Sequence, residues 1–212
     1  MSGCECKNLK HECKKVVLTG GPGAGKTAIL EIVRKNFCQH ISILPESASI
    51  IFGGGFWRHD NISAKKAAQR AIFFVQRELE TLVEDEKISA IALCDRGTVD
   101  GLAYWPDEEG LFWKEVGTSR AKEFSRYSAV IHLRTPPLSQ GYNYENPVRI
   151  ESALQAAEID KGIEEAWKGH PRIFYVESQN NFMNKVSKAI ELIKSELPDC
   201  CKKHKVAELK GL

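Results

Sequence analysis

Long hydrophobic runs are scarce in this chain of 212 residues. The segment ISAIALC, from Ile88 to Cys94, is short, whereas a membrane-spanning helix needs about 20 apolar residues. The stretch MSGCECKNLKHECKK at the start is polar and lacks the apolar core of a secretory signal peptide. These absences predict a cytoplasmic protein without a membrane partner.

A strong excess of either charge is also absent. The chain has 30 Lys and Arg against 28 Asp and Glu, which gives a net charge of +2. A nucleic-acid-binding surface usually needs a basic face with interleaved aromatic side chains. The near-neutral balance therefore predicts no nucleic-acid partner. The 42% hydrophobic and 27% charged residues are typical of a globular domain.

The seven cysteines lack the regular, even-numbered pattern of a disulfide-stapled fold. Two of them, Cys200 and Cys201, lie near the end of the chain. The three nearest the start form the spacing C-x-C-x4-H-x-C with His11, which matches none of the usual zinc knuckles. Free thiols are the default interpretation, and metal binding by the terminal Cys and His residues is left open.

Short apolar runs alternate with amphipathic segments along the chain. The strand candidates are VVLT, ISIL, ISAIALC, AVIHL and RIFYV, and helical periodicity follows several of them. Residues 50–61 contain three consecutive glycines and are predicted as a mobile loop, whereas residues 97–117 are predicted as a looser section. The longest helical pattern, 64–86, has a predicted buried stripe of Ala68, Ala71, Ile72, Val75, Leu79, Leu82 and Val83. The alternation predicts an α/β fold whose parallel sheet is covered by helices on both faces.

A glycine-rich loop follows the first strand candidate and precedes a helix. Its sequence GGPGAGKT fits G-x-x-x-x-G-K-[ST], the pattern of phosphate-binding loops, without a mismatch. Backbone N–H groups and the helix dipole would hold phosphate, Lys26 would reach the β- and γ-phosphates, and Thr27 would bind Mg²⁺. The predicted nucleotide-binding residues here are Gly20, Gly21, Pro22, Gly23, Ala24, Gly25, Lys26 and Thr27.

The third strand candidate runs into Asp95-Arg96-Gly97. Ligands bind at the carboxyl edge of such sheets, so Asp95 is a candidate for holding Mg²⁺ or its water shell. ATP-hydrolysing machines with this loop usually carry a second acid after the Asp, but here a cation follows. Arg96 would instead bind an anionic or hydroxyl-bearing group opposite the phosphate donor. The N-K-x-D that reads guanine in GTPases is also missing.

Several segments resemble those of known kinases. DRGTVDGLAYW, AVIHLRTPP and RIESALQAAEIDKGIEEAW resemble segments of thymidylate kinases and deoxynucleoside kinases. LTGGPGAGKTAILE and LPESASIIF also resemble predicted ATPases with an AAA-like domain, which are related to the ribosylnicotinamide kinase domain of a bacterial NAD-biosynthesis regulator. The resemblance implies a three-layer P-loop NTPase fold with a five-stranded parallel sheet, helices on both faces and a lid.

The same resemblance implies residues for the acceptor side. Glu46 follows the second strand candidate, where deoxynucleoside kinases place a base for the sugar hydroxyl, and a carboxylate at the sheet edge can accept such a proton. Gln69 and Gln76 lie on the long helix from which these kinases use a Gln to read a base. Trp57 and Tyr104 are candidates for stacking on a ring. A helix-dipole contact, a solvated helix flank and ordinary packing are the structural alternatives.

Residues 135–147, TPPLSQGYNYENP, are rich in turn formers and predict a mobile lid. Arg149 follows this segment, and Arg134 precedes it. An arginine that arrives on lid closure would stabilise the charge on the transferring phosphate, so Arg149 is a predicted catalytic residue. Arg134 is a predicted nucleotide contact.

We therefore predict an enzyme that uses ATP and Mg²⁺ to phosphorylate a small hydroxyl-bearing, nucleoside-like acceptor, with Glu46 or Asp95 taking the proton. An ATP-hydrolysing or ATP-sensing module without an acceptor is the alternative. The predicted organisation is a polar tail at 1–15, a kinase-like domain at 16–197 and a basic tail at 198–212. Acceptor identity, the choice between ATP and GTP, and a homodimer are left open.

Overall fold

Five parallel strands form the centre of the computed structural model, which describes residues 11–136, 153–178 and 181–202. The strands are β1 (Lys14–Thr19), β2 (Ile41–Leu44), β3 (Ile91–Asp95), β4 (Ala129–Leu133) and β5 (Ile173–Val176). Their order in the sheet is β2-β3-β1-β4-β5, and every neighbouring pair is parallel. The predicted five-stranded parallel sheet is therefore confirmed.

Helices connect and cover these strands. They are α1 (Lys26–Asn36), α2 (Ser47–Gly53), α3 (Ile62–Glu86), α4 (Glu109–Val116), α5 (Arg120–Phe124), α6 (Ala153–Trp167), α7 (Phe182–Glu196) and α8 (Asp199–Lys202), with a 3-10 helix at Thr98–Tyr104. In the described part of the chain, no helix combines the length and the apolar character that crossing a membrane requires.

Two hydrophobic cores lie on opposite faces of the sheet. In β1, Val16 and Leu18 belong to the core formed with α1 and α7, whereas Val17 belongs to the core formed with α3, α4 and α6. All three side chains are fully buried. A central parallel strand with helices on both sides reads as a continuous apolar run for this reason. Loops that follow the strands lie at the carboxyl edge of the sheet, and these loops form the candidate site.

The predicted loop at 50–61 and the looser section at 97–117 both contain helical residues. Helix α2 extends to Gly53, and residues 97–117 contain the 3-10 helix and α4. These helices are too short to show a clear period in the sequence. Phe112 and Trp113 are both buried in α4 and pack against aromatic neighbours. Tertiary packing rather than periodicity therefore accounts for this helix.

Helix α3 buries a more polar face than the apolar pattern predicts. Gln76 and Glu80 are buried, whereas Leu82 of the predicted stripe is 56% exposed. The Gln76 amide donates to Glu80 Oε1 at 2.9 Å, and the Tyr127 hydroxyl donates to the same oxygen at 2.7 Å. Arg126 also pairs with Glu80. These partners satisfy the hydrogen-bonding groups of the buried side chains. The predicted buried stripe was therefore wrong in part, because Leu82 is exposed and polar residues take buried positions on α3.

Candidate active site

The glycine-rich loop joins β1 to α1 at the carboxyl edge of the sheet. Gly20, Gly23 and Gly25 have positive φ angles of 135°, 79° and 97°. At Gly20 the requirement is also steric, because a Cβ atom there would lie 2.1 Å from the carbonyl oxygen of Leu133. The loop therefore follows a path that glycine accommodates and that larger residues would strain.

Lys26 begins α1 and its side chain lies back over the loop. Its Nζ donates hydrogen bonds to the carbonyl oxygens of Gly20 at 2.9 Å and Gly21 at 3.2 Å. Burial and the nearby charge of Arg96 lower the pKa of Lys26 to about 8, against the opposing effect of the surrounding carboxylates. Thr27 follows on the first turn of α1 and is exposed. A cation and a hydroxyl thus lie together beside the loop.

Asp95 ends β3, directly beside β1, where it pairs in register with Leu18. Its Oδ1 is buried and has no hydrogen-bond partner within the described ranges. Burial raises the pKa of Asp95 to about 6, although the charge of Lys26 opposes this. An unsatisfied carboxylate oxygen beside a phosphate-type loop is a suitable ligand for a hard cation such as Mg²⁺.

Arg96 lies at the centre of an ion-pair network. Its Nε donates to Glu46 Oε1 at 2.7 Å, and its Nη1 lies 3.4 Å from Asp100 Oδ1. Its guanidinium also lies 5.8 Å from the centre of the Tyr104 ring. The backbone of Arg96 has a φ of 71°, which is uncommon for a residue with a side chain and stores strain. The surrounding contacts hold this conformation.

Glu46 is the other member of this pair and precedes α2. Burial would raise its pKa, but the charge of Arg96 and hydrogen bonds from Ser49 and Arg96 lower the pKa to about 2. The Ser49 hydroxyl donates to Glu46 Oε2 at 2.6 Å. Glu46 is consequently ionised and held in place at neutral pH.

Asp100, which was not among the predicted site residues, connects this network to the core. Its Oδ2 accepts hydrogen bonds from the Gly97 backbone N–H and from Trp167 Nε1, both at 2.9 Å. Its Oδ1 accepts a hydrogen bond from the Thr19 hydroxyl. Asp100 is only 3% exposed. It therefore fixes the turn that carries Arg96, and its place in the DRGTVD segment was the available signal.

A cavity of about 720 Å³ opens beside these side chains. Its wall includes Lys26 and Thr27 at one end, Glu46, Asp95 and Arg96 along the sheet edge, and Trp57, Gln69, Gln76 and Tyr104 further away. Pro22 of the glycine-rich loop also lines the cavity, so the structure brings ten predicted site residues together in one cavity wall. Such a volume suits a small organic ligand.

The predicted base-reading residues differ in their surroundings. Gln76 is 2% exposed, accepts a hydrogen bond from Ser47 Oγ at 2.8 Å and donates to Glu80. Gln69 is 9% exposed, and its Oε1 lies near Gly101. Trp57 is 76% exposed at the rim. Gln76 would have to give up a hydrogen bond to Ser47 or Glu80 in order to bind a ligand. The exposed Trp57 side chain could contact a ligand by a change of rotamer.

The sequence matches the AAA domain family over residues 15–185. The chain belongs to this family. Among solved structures, it is similar to deoxyadenosine kinase from M. mycoides with bound dATP, with a TM-score of 0.54 and 14% identity, covering 85% of this chain and 98% of that chain. No curated protein matches the chain. At this identity the structural similarity shows the fold, and with the family it identifies a P-loop enzyme of the kinase or ATPase class.

In this AAA-domain protein, Arg134 lies outside the cavity wall. Its Nη1 and Nη2 donate to the two carboxylate oxygens of Glu164, at 2.5 and 2.6 Å, and its guanidinium lies 4.7 Å from the centre of the Tyr175 ring. Only Thr135 and Pro136 of the predicted lid are described. Arg149 and the rest of the lid lie outside the described residues, so their roles stay predictions.

The structure also places a buried acid, absent from the predicted site residues, behind the glycine-rich loop. Asp160 of α6 accepts hydrogen bonds from the Gly21 N–H at 2.7 Å, from the Thr135 N–H at 3.2 Å and from His132 Nε2 at 2.9 Å. It therefore connects the loop after β1 to the segment after β4. No local pattern marked Asp160, because its partners are distant in sequence.

Proposed function

We propose that the protein transfers the terminal phosphate of ATP to a hydroxyl group of a small, nucleoside-like acceptor, with Mg²⁺. The observation that carries this proposal is the cavity. Its wall contains Lys26 of the loop and the Glu46–Arg96 ion pair, and it extends past this pair to the aromatic and amide side chains of Trp57, Gln69 and Tyr104. A water molecule would not need this space. The deoxyadenosine kinase with a similar fold supports a nucleoside as the acceptor class.

The donor would bind at the phosphate loop. Phosphate oxygens would replace the carbonyl groups of Gly20 and Gly21 as acceptors for Lys26 Nζ. Thr27 and the unpartnered Oδ1 of Asp95 are the oxygen ligands that would hold Mg²⁺ or its waters. When bound, Mg²⁺ would neutralise charge on the β- and γ-phosphate oxygens.

The acceptor would bind on the side of Glu46 and Arg96. Because β3 lies between β1 and β2, the side chain after β3 is nearer the loop than the one after β2. We therefore assign Asp95 to the metal side and Glu46 to the acceptor hydroxyl. Arg96 holds Glu46 in position and would donate its remaining N–H groups to the acceptor. Gln69, Trp57 and Tyr104 would contact its ring.

A panel of nucleosides and other small alcohols with γ-labelled ATP tests the proposal. Product and free phosphate are measured separately for the wild type and for Arg96→Lys, with Arg34→Lys as the control because Arg34 is an exposed helix residue. We expect a labelled nucleoside product, and a larger loss of kcat/KM for the acceptor than for ATP in Arg96→Lys. An equal loss for both substrates would remove the acceptor role from Arg96.

ATP hydrolysis or ATP sensing without an acceptor is the second candidate. Membership of the AAA domain family favours it. Against it, the residue after Asp95 is Arg96, which cannot polarise water as a second acid does. If all consumed ATP appears as free phosphate with every acceptor, or if ATP binds without turnover, this second candidate replaces the first.

A further inference from the structure

We propose that the protein holds a structural zinc ion at His11, His40 and Cys201. These residues are far apart in the sequence, yet a ring nitrogen of each histidine and the Cys201 sulfur all lie within 4.8 Å of one another. The two imidazole rings are 4.9 Å apart, centre to centre. His40 is 2% exposed and Cys201 is 1% exposed. The cluster is thus largely enclosed by protein.

The distances around His40 fit tetrahedral coordination. Cys201 Sγ lies 3.6 Å from His40 Nδ1, and Cys38 Sγ lies 3.7 Å from the same nitrogen. Zinc bonds of about 2.3 Å to sulfur and about 2.0 Å to nitrogen place two tetrahedral ligands about 3.6 Å apart. His40 Nδ1 is therefore the central nitrogen ligand. His11, His40 and Cys201 already bring their donor atoms together, and we infer that rotation of the half-buried Cys38 side chain brings its sulfur to the fourth ligand position.

The ligand chemistry selects zinc among the common divalent ions. Two imidazole nitrogens and two thiol sulfurs make a Cys2His2 set, which suits Zn²⁺ and disfavours Mg²⁺ or Ca²⁺. Binding replaces the S–H bonds of Cys38 and Cys201 with S–Zn bonds and releases two protons to solvent, and no electron is transferred. A closed site of four protein ligands leaves no position for substrate.

The position of the cluster indicates a structural role. His11 precedes β1, Cys38 and His40 precede β2, and Cys201 lies in α8 near the end of the described chain. The cluster is therefore at the amino edge of the parallel sheet, opposite the carboxyl edge that carries the phosphate loop. A metal there would join both ends of the described chain to the residues before edge strand β2. The His40 carbonyl oxygen already accepts hydrogen bonds from the N–H groups of Ala90 and Ile91, at the start of the neighbouring strand β3.

Metal analysis of the full chain, purified reduced and without an affinity tag, tests the site. We expect about one zinc per chain, lost in His40→Ala and Cys201→Ser. Cys13→Ser is the matched control, because Cys13 is a free, half-buried thiol outside the cluster. Chelation should lower the Tm of the wild type and Cys13→Ser by about 5–10 °C and leave the Tm of Cys201→Ser unchanged.

Cobalt substitution gives a readout that does not depend on the variants folding. Wild-type protein loaded with Co²⁺ should show the visible bands of a tetrahedral site and a thiolate-to-cobalt charge-transfer band. The proposal is overturned if reduced wild-type protein takes up no stoichiometric zinc, if its cobalt spectrum lacks the thiolate band, or if folded Cys201→Ser keeps the wild-type metal content and Tm response.

Discussion

Replacing Glu46 with glutamine should destabilise the protein by about 3 kcal/mol at neutral pH. Glutamine keeps the shape of the side chain, and its oxygen can still accept the 2.7 Å hydrogen bond from Arg96 Nε. The substitution therefore removes mainly the negative charge. Arg96 Nη1 still has the carboxylate of Asp100 at 3.4 Å. The variant isolates the electrostatic contribution of one ion pair.

The magnitude follows from the pKa of Glu46. Its surroundings lower that pKa from an ordinary 4.5 to about 2, with Arg96 as the main favourable charge acting against burial. Each pKa unit corresponds to about 1.4 kcal/mol of differential interaction with the ionised form, so the folded protein favours the carboxylate by about 3 kcal/mol. The side chain is 28% exposed, so solvent screening leaves most of this contribution.

The pH dependence has a definite sign. The pKa is lower in the folded than in the unfolded chain, so the unfolded chain binds the proton first as the pH falls. The contribution of Glu46 is fully present above about pH 4.5 and is lost between pH 4.5 and about 2. The stability difference between wild type and Glu46→Gln should therefore shrink as the solution is acidified through that range.

Urea unfolding at pH 7 and pH 3.5 measures both effects. Glu31→Gln is the matched control, because Glu31 pairs with Arg34 on an exposed helix surface and should cost less than about 1 kcal/mol. Comparing variants removes the general acid sensitivity of the protein. If Glu46→Gln costs no more than Glu31→Gln at pH 7, or if the difference is the same at both pH values, the Arg96–Glu46 pair does not hold the site as argued.

Three further predictions concern Lys26, Asp160 and the buried Lys185 of α7. Lys26→Ala should abolish ATP turnover with an unchanged Tm, because Lys26 Nζ contacts loop carbonyls and not the core; retained turnover would remove its phosphate role. In Asp160→Asn an NH2 group replaces one carboxylate oxygen, so either the Gly21 or the Thr135 N–H group loses its acceptor. Nucleotide binding measured by titration should weaken about tenfold, and wild-type affinity would contradict this. Burial lowers the pKa of Lys185 to about 8, so between pH 8 and 10.5 the unfolded chain binds this proton more than the folded chain does. Wild-type stability in urea unfolding should therefore rise over that range relative to Lys185→Met, and parallel pH profiles of the two proteins would refute this.

The strands were largely predictable because parallel strands buried on both faces read as apolar runs. β4 was predicted at its observed bounds, and α1 likewise began at Lys26. Boundaries shifted where polar residues continue a strand, as at Lys14 and Lys15 of β1. Lys15 is buried with its charge paired to Glu84, a partner 69 residues away that no local pattern indicates. The buried Gln76 and Glu80 of α3 escaped prediction for the same reason.

The sequence by itself determined the path of the glycine-rich loop, because positive φ angles at closely spaced positions require glycine locally. It also indicated the charged part of the cavity wall, including Glu46, Asp95 and Arg96, since residues after parallel strands meet at one sheet edge. Only the tertiary structure decided the strand order, the pairing of Arg96 with Glu46 across 50 positions, and the role of Asp100. The meeting of His11, His40 and Cys201 is likewise a product of the fold. Local propensity acts over a few residues, whereas these contacts depend on how elements distant in the sequence pack together. That packing is established only when the helices of both hydrophobic cores pack on the sheet.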